Sequence, residues 1–181
     1  PGPQPRFDGH GAAAFTAAGM LSPLAELDNA GPEIAALGWR SIALWRDIVA
    51  TLPDPPSFEQ LGSLLLAHRS DLPAAERVLA RLAGAPGASP SVVTPEQLAA
   101  MEPALQAPAH AWLLPGEGQI EPVHAMFCLH HDAPGVAWHW GSRVTGVEPG
   151  TLHVEGAQAG RWRFDAVFDA RGLGARPDLP L

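Results

Sequence analysis

Histidine is the usual metal ligand and acid–base residue near neutral pH, and His124, His130, His131, His139 and His153 fall in one region together with Asp132. On a helix over 122–131, His124 and His131 share a face, with His130 about one position aside. No HExxH spacing, second thiolate or ordered carboxylate ladder accompanies them, so they read as surface or interface histidines and no metal site is expected. Ser22, Ser41, Ser63 and Ser70 stand in no GxSxG elbow. Cys128, the single cysteine, lies mid-helix among apolar neighbours, where an inert buried thiol is expected. Glu117 and Glu121 are spaced to face one another as a carboxylate pair. Glu121 precedes a proline, however, and reads as a helix start, where the dipole favours negative charge. Glu59, Glu76, Glu96 and Glu102 read as solvated helix charges. No catalytic residue is assigned, and hydrolysis is not expected.

Two runs of small residues are more informative. Thr16-Ala17-Ala18-Gly19-Met20-Leu21-Ser22-Pro23 carries little side-chain bulk, which lets backbone approach a flat or charged ligand, glycine best of all. The same run also reads as an Ala/Gly stretch for helix packing. Phe164-Asp165-Ala166-Val167-Phe168-Asp169-Ala170-Arg171-Gly172 reads as a buried strand entering a glycine turn, the geometry that brings backbone N–H groups against phosphate. An ordinary strand-to-loop exit has the same pattern. Arg171 would then either pair with a pyrophosphate or point to solvent.

Composition narrows the chemistry further. The chain has 181 residues, 11 basic against 19 acidic, for a net charge of −8. It is long enough for a real core, and its acidity argues against nucleic acid or an anionic membrane surface as partner. Every basic residue is arginine and tyrosine is absent, so a Schiff-base or Walker A lysine cannot come from this chain. A lone cysteine excludes an internal disulfide and a CxxC zinc site, and suits a reducing cytoplasm. With no basic-then-apolar leader and no uninterrupted apolar span, the chain reads as soluble, acidic and globular.

The elements that must position these residues follow from periodicity. Ile34, Leu37, Trp45, Ile48, Val49 and Leu52 predict a helix over 32–52, opened by Pro32 and stopped by Pro53. Pro53-Asp54-Pro55-Pro56 marks a boundary. The run 61–67 predicts a buried strand, and Asp71 is expected to cap a helix carrying Leu72, Val78, Leu79 and Leu82. Residues 84–90 read as loop. Thr94-Pro95-Glu96-Gln97 has the form of a capping box, 112–114 reads as a strand, and Glu121-Pro122 opens a further helix. Beyond it, the runs 136–140, 143–147, 151–154, 162–164 and 166–169 predict short strands. The whole reads as mixed α/β, helical in the first two thirds and a strand-rich meander in the last.

In this order, Ala17-Ala18-Gly19-Met20-Leu21, a long helix, Leu98-x-x-Met101-Glu102-Pro103-x-Leu105, Gly118-Gln119-Ile120-Glu121-Pro122, Gly141-x-x-Val144-x-x-Val147 and Asp169-Ala170-Arg171-Gly172 resemble the D-amino-acid oxidase and glycine oxidase family of FAD-dependent oxidoreductases. The resemblance runs from Thr16 to Gly174. It implies an α/β fold, a Rossmann-like FAD-binding domain with an inserted α+β substrate-domain segment. The division it suggests is 1–56 and 116–181 for the FAD domain and 57–115 for the substrate domain. It also implies that Ala18, Gly19 and Met20 lie by the flavin and its phosphates, and that Val144 offers backbone and apolar surface to the adenine. Ala170, Arg171 and Gly172 would form the turn beside the cofactor, with Arg171 where the family has a small or hydroxyl residue. Glu121 stands where the family often has Asp. The GxGxxG unit and the acidic residue that follows it are absent, as are the family's carboxylate-binding arginine and closing FAD contacts. A middle section of a longer protein, inactive by itself, is therefore expected.

The chemistry implied is oxidation of the amine of a small amino acid, glycine by default, with a hydride passing from the substrate Cα to the flavin. Water then hydrolyses the imine, and O₂ is the default acceptor. Such an enzyme works largely by alignment, which suits the lack of a nucleophile or acid–base pair. A role in thiazole synthesis is a family-level guess. Rival expectations are a flavin dehydrogenase, oxidation of a modified tRNA base's amino-acid arm, which the acidic charge disfavours, and a non-catalytic interaction module. A small-molecule partner is expected, with no nucleic acid and no membrane. The six tryptophans are compatible with a homo-oligomer interface or a pocket, and equally with half-buried packing.

Overall fold

The computed structural model describes residues 7, 13–27, 30–83, 85, 89–105 and 108–175. They fall into two compact units, one over Ala13–Ala133 and one holding residue 7 and 134–175. In the first unit the helices are α1 (Ala13–Thr16), α2 (Pro23–Glu26), α3 (Pro32–Thr51), α4 (Leu72–Leu82), α5 (Pro95–Met101) and α6 (Pro122–His131). Its strands are β1 (Met20–Leu21), β2 (Phe58–Glu59), β3 (Ser63–Ala67), β4 (Ser91–Val92), β5 (His110–Leu114) and β6 (Gly118–Ile120). The second unit contains β7 (Arg143–Glu148), β8 (Thr151–Glu155) and β9 (Gly160–Arg163), followed by a 3-10 turn over Gly172–Ala175.

The first unit has two small antiparallel sheets. In one, β6 is the central strand between β1 and β2; in the other, β5 lies between β3 and β4. Leu24, Leu82 and Leu114 form a buried cluster, so α2, α4 and β5 meet there, with Trp39 and Val78 packed against it.

Helix α3 ends where its prolines dictate. Pro32 takes the first helical position, where its missing N–H costs nothing, and Leu52, extended at ψ 138° ahead of Pro53, closes the helix. Its buried residues are Ala35 and Ile42, two turns apart on one stripe. On the same side the Pro23 ring comes within 3.0 Å of where a Gly38 Cβ would stand. Helix α2 can lie this close to α3 because Gly38 has no side chain.

The predicted capping box of α5 is present. Thr94 Oγ1 accepts from the Gln97 backbone N–H at 3.2 Å, and Gln97 Oε1 accepts from the Thr94 N–H at 2.8 Å. The expected Asp71 cap is not. A 3-10 turn over Arg69–Asp71 puts Asp71 at φ −103°, ψ −1°, outside the extended region an N-cap needs. Its carboxylate instead accepts from Ser70 Oγ at 3.1 Å. The run 61–67 is a strand only from Ser63, and Leu61 is 77% exposed. Gly62, at φ +92° against the Leu114 carbonyl, turns the chain before the strand begins.

In the second unit β7, β8 and β9 form the expected antiparallel meander. Residues 136–140 are not a strand: Gly135 and Gly141, at φ +80° and +74°, bracket the run with turns, and Trp138 stacks on Trp140. Residues 166–169 are not a strand either. Among the described residues no strand pairs with them, and Phe168 is 92% exposed. An extended apolar run gains little from its β-propensity without a ladder partner.

Candidate functional site

A cleft of about 540 Å³ opens in the first unit, walled by the segment from α1 to β1, by Trp45 of α3, and by Ile120, Ala125 and Met126. This size is typical of small-molecule sites, and so is its apolar character. Three residues expected at the cofactor, Ala18, Gly19 and Met20, stand together on its wall. A groove of about 360 Å³ adjoins it along Ile34 and Leu37 of α3 and shares Met20, Leu21, Ser22 and Glu26.

Gly19 has a structural reason to be glycine. It sits at φ +76°, its carbonyl accepts from the Ile120 N–H at 2.9 Å, and a Cβ would lie 1.9 Å from the Ile120 oxygen. The entry into β1 therefore presses backbone to backbone against β6. That contact leaves a wall of alanine and glycine on the cleft side.

Sequence reading offered Glu117 only as a partner for Glu121 and missed that it holds this region together. Glu117 is 0% exposed. Its Oε1 accepts from the Leu24 and Ala25 N–H groups at 2.6 and 3.1 Å, and its Oε2 accepts from Ser63 Oγ. One carboxylate thus joins the start of α2 to β3. Glu121 is engaged elsewhere, capping α6 by accepting from the Val123 N–H at 3.0 Å and from the His124 N–H. The two carboxylates are therefore not an acid–base pair, and Glu121 is the helix start that its proline indicates.

Cys128 is buried and donates to the Asp54 carbonyl at 2.9 Å. Burial pushes its thiol pKa up, and the Asp54 and Asp132 charges push the same way, as expected of an inert thiol. The histidines have separate partners: His124 with Asp54 at 3.2 Å, His139 with Gln158 at 2.8 Å and His153 with Glu148 at 3.0 Å. Among the described residues no group of three or more His, Cys, Asp or Glu side chains is placed to hold a metal.

The remaining expected cofactor residues lie in the second unit. The Arg171 guanidinium grips Asp169 in bidentate fashion, Nε to Oδ1 at 2.9 Å and Nη2 to Oδ2 at 2.7 Å. Its Nη1 donates to the Val144 carbonyl at 3.2 Å. Arg171 therefore brings the 169–172 turn and β7 together instead of pointing freely to solvent. Ala170 is exposed, and Gly172 begins the 3-10 turn at φ +57° with no atom within 4 Å of a Cβ position. The hydrogen bonds from Arg171 hold the Asp169 carboxyl at a pKa of about 2, down from 3.8. Any stabilisation from the pair is therefore present above the ordinary value and lost as pH falls through about 2. Carboxyl NMR titration should give that low midpoint, and Arg171→Gln should return it toward the ordinary range. An unchanged midpoint in the variant would overturn the assignment.

The group implied by the sequence resemblance is FAD. The cleft residues fit it: alanine and glycine leave room for a flat ring edge, and Met20, Trp45 and Ile120 offer apolar contact. Two solved structures share the fold. Glycine oxidase from Geobacillus kaustophilus matches at 23% identity with a TM-score of 0.69, over 85% of this chain and 44% of that one. L-proline dehydrogenase from P. horikoshii matches at 21% identity with a TM-score of 0.52, over 68% of this chain and 34% of that one. The chain thus spans less than half the length of these two structures. No curated protein matches it. The family model described as DAO, FAD dependent oxidoreductase, matches residues 5–181, and the chain belongs to that FAD-dependent family.

Proposed function

We propose that the protein oxidises the amine of a small amino acid, with glycine as the default substrate. The observation that carries this reading is the apolar cleft walled by Ala18, Gly19 and Met20 in a chain of the FAD-dependent family. Bound FAD supplies the two-electron acceptor. The protein's part is to exclude water, align the substrate Cα–H and leave the ring accessible. Loss of a hydride from Cα and a proton from nitrogen leaves an imine, which water converts to a 2-oxo acid (glyoxylate from glycine) and ammonia.

In this reading Ala18, Gly19 and Met20 contact the flavin end. Val144, Ala170, Arg171 and Gly172 contribute backbone to the cofactor, Arg171 by fixing the turn. Segments 1–56 and 116–181 belong to the FAD domain and 57–115 to the substrate domain. A cytoplasmic location is part of the same proposal, consistent with a single buried free thiol. Among the described residues no helix is long and apolar enough to cross a membrane.

A second reading, dehydrogenation with an acceptor other than O₂, draws support from the fold shared with a proline dehydrogenase. Assays of the flavin-loaded full-length protein with glycine, sarcosine, L-proline and D-amino acids separate the two. Peroxide release supports the oxidase, and turnover only with an artificial electron acceptor supports the dehydrogenase. A bound, chemically reducible flavin with neither activity overturns amine oxidation and favours a non-catalytic module.

A further inference from the structure

Among the described residues, Glu26 is the one ionisable side chain on the wall of the apolar cleft, and it lines the adjoining groove as well. It is exposed, and its carboxylate has no hydrogen-bond or ion-pair partner among the described residues. Its backbone is fixed, however. The Glu26 N–H donates to the Ser22 carbonyl at 3.2 Å and its carbonyl accepts from the Ala30 N–H at 2.8 Å. The start of the same short helix is fastened by the buried carboxylate of Glu117 through Leu24 and Ala25. The backbone that carries this negative charge is thus fixed beside a surface of alanine, methionine and tryptophan.

We propose that Glu26 determines specificity by receiving the cationic amine of the substrate at the cleft, an inference that rests on the amine-oxidation reading above. None of the other lining residues carries a charge: Ser22 offers a hydroxyl, Trp45 a ring face, and the rest apolar surface or backbone. The same carboxylate disfavours substrates with a second acidic group, since like charges on one site repel. Discrimination therefore comes from charge at Glu26.

The test compares Glu26→Gln with the parent in the flavin-loaded full-length protein. The expected result is a rise in KM for glycine of about tenfold, falling on KM more than on kcat. Inhibition by glycolate, which lacks the amine, should not weaken. Glu26→Asp, which keeps the charge, should recover much of the loss. Independently of turnover, methylammonium should shift the Glu26 carboxyl resonance in carbon-13-labelled protein, while sodium chloride at the same ionic strength should not. An unchanged glycine KM in Glu26→Gln, or no response to methylammonium, overturns the inference. If the parent oxidises no amine yet Glu26 responds to methylammonium, the cation site stands and the amine-oxidation reading falls.

Discussion

Gly19→Ala is expected to destabilise the first unit by about 2–5 kcal/mol and to abolish flavin retention. The range combines the cost of a left-handed conformation for an L-residue with the cost of overpacking. The new Cβ would meet the Ile120 carbonyl oxygen at 1.9 Å, and the neighbour is backbone of β6, which cannot swing aside as a side chain would. Relief requires β1 to separate from β6, and the wall bearing Ala18 and Met20 separates with it. Gly116→Ala is the matched comparison: it shares a positive φ of +81°, but its nearest neighbour is the Trp39 ring at 3.3 Å. It should cost about 1–2 kcal/mol, mostly conformational. Thermal unfolding of both variants decides the matter, and equal losses would contradict the backbone clash.

Glu117→Ala is the second large effect, a loss of about 3 kcal/mol or more. It removes the acceptor for the buried Leu24 amide and for the partly buried Ala25 amide and Ser63 hydroxyl, and a buried donor left unsatisfied costs about 1–3 kcal/mol. Glu117→Gln should lose less, because its amide oxygen can still accept from the two N–H groups while Ser63 reverses its role to accept from the amide nitrogen. Since α2 carries Glu26 and abuts β1, the alanine variant should also lose flavin. Chemical denaturation provides the measurement. A loss below about 1 kcal/mol would show that Glu117 is not the tie between α2 and β3.

These two positions illustrate what local sequence can and cannot reveal. Helix α3 and the Thr94–Gln97 box were legible because their signals are confined to a few residues: prolines that fix φ, and a threonine and glutamine three apart. Gly19 was legible as special, read either as a close approach to a ligand or as helix packing, whereas the nearest cause is the β6 backbone. Glu117 was opaque. It stands between two glycines in what reads as a turn, and its principal partner, Leu24, is 93 residues away in sequence. The strand expected over 166–169 failed for a related reason, since β-propensity counts only when another strand is alongside. Asp71 had the right residue type for a cap, and the preceding 3-10 turn denied it the backbone conformation. The cleft was half legible: its small-residue wall is contiguous in sequence, while Trp45, Ile120 and Met126 come to it only through folding.

The most direct test of amine oxidation at this cleft is anaerobic titration of the purified, flavin-bound full-length protein with glycine, sarcosine and L-proline. Bleaching of the flavin's visible absorbance by at least one of them, without added reductant, is the expected result. A flavin that stays oxidised with all three, yet bleaches with dithionite, would contradict it.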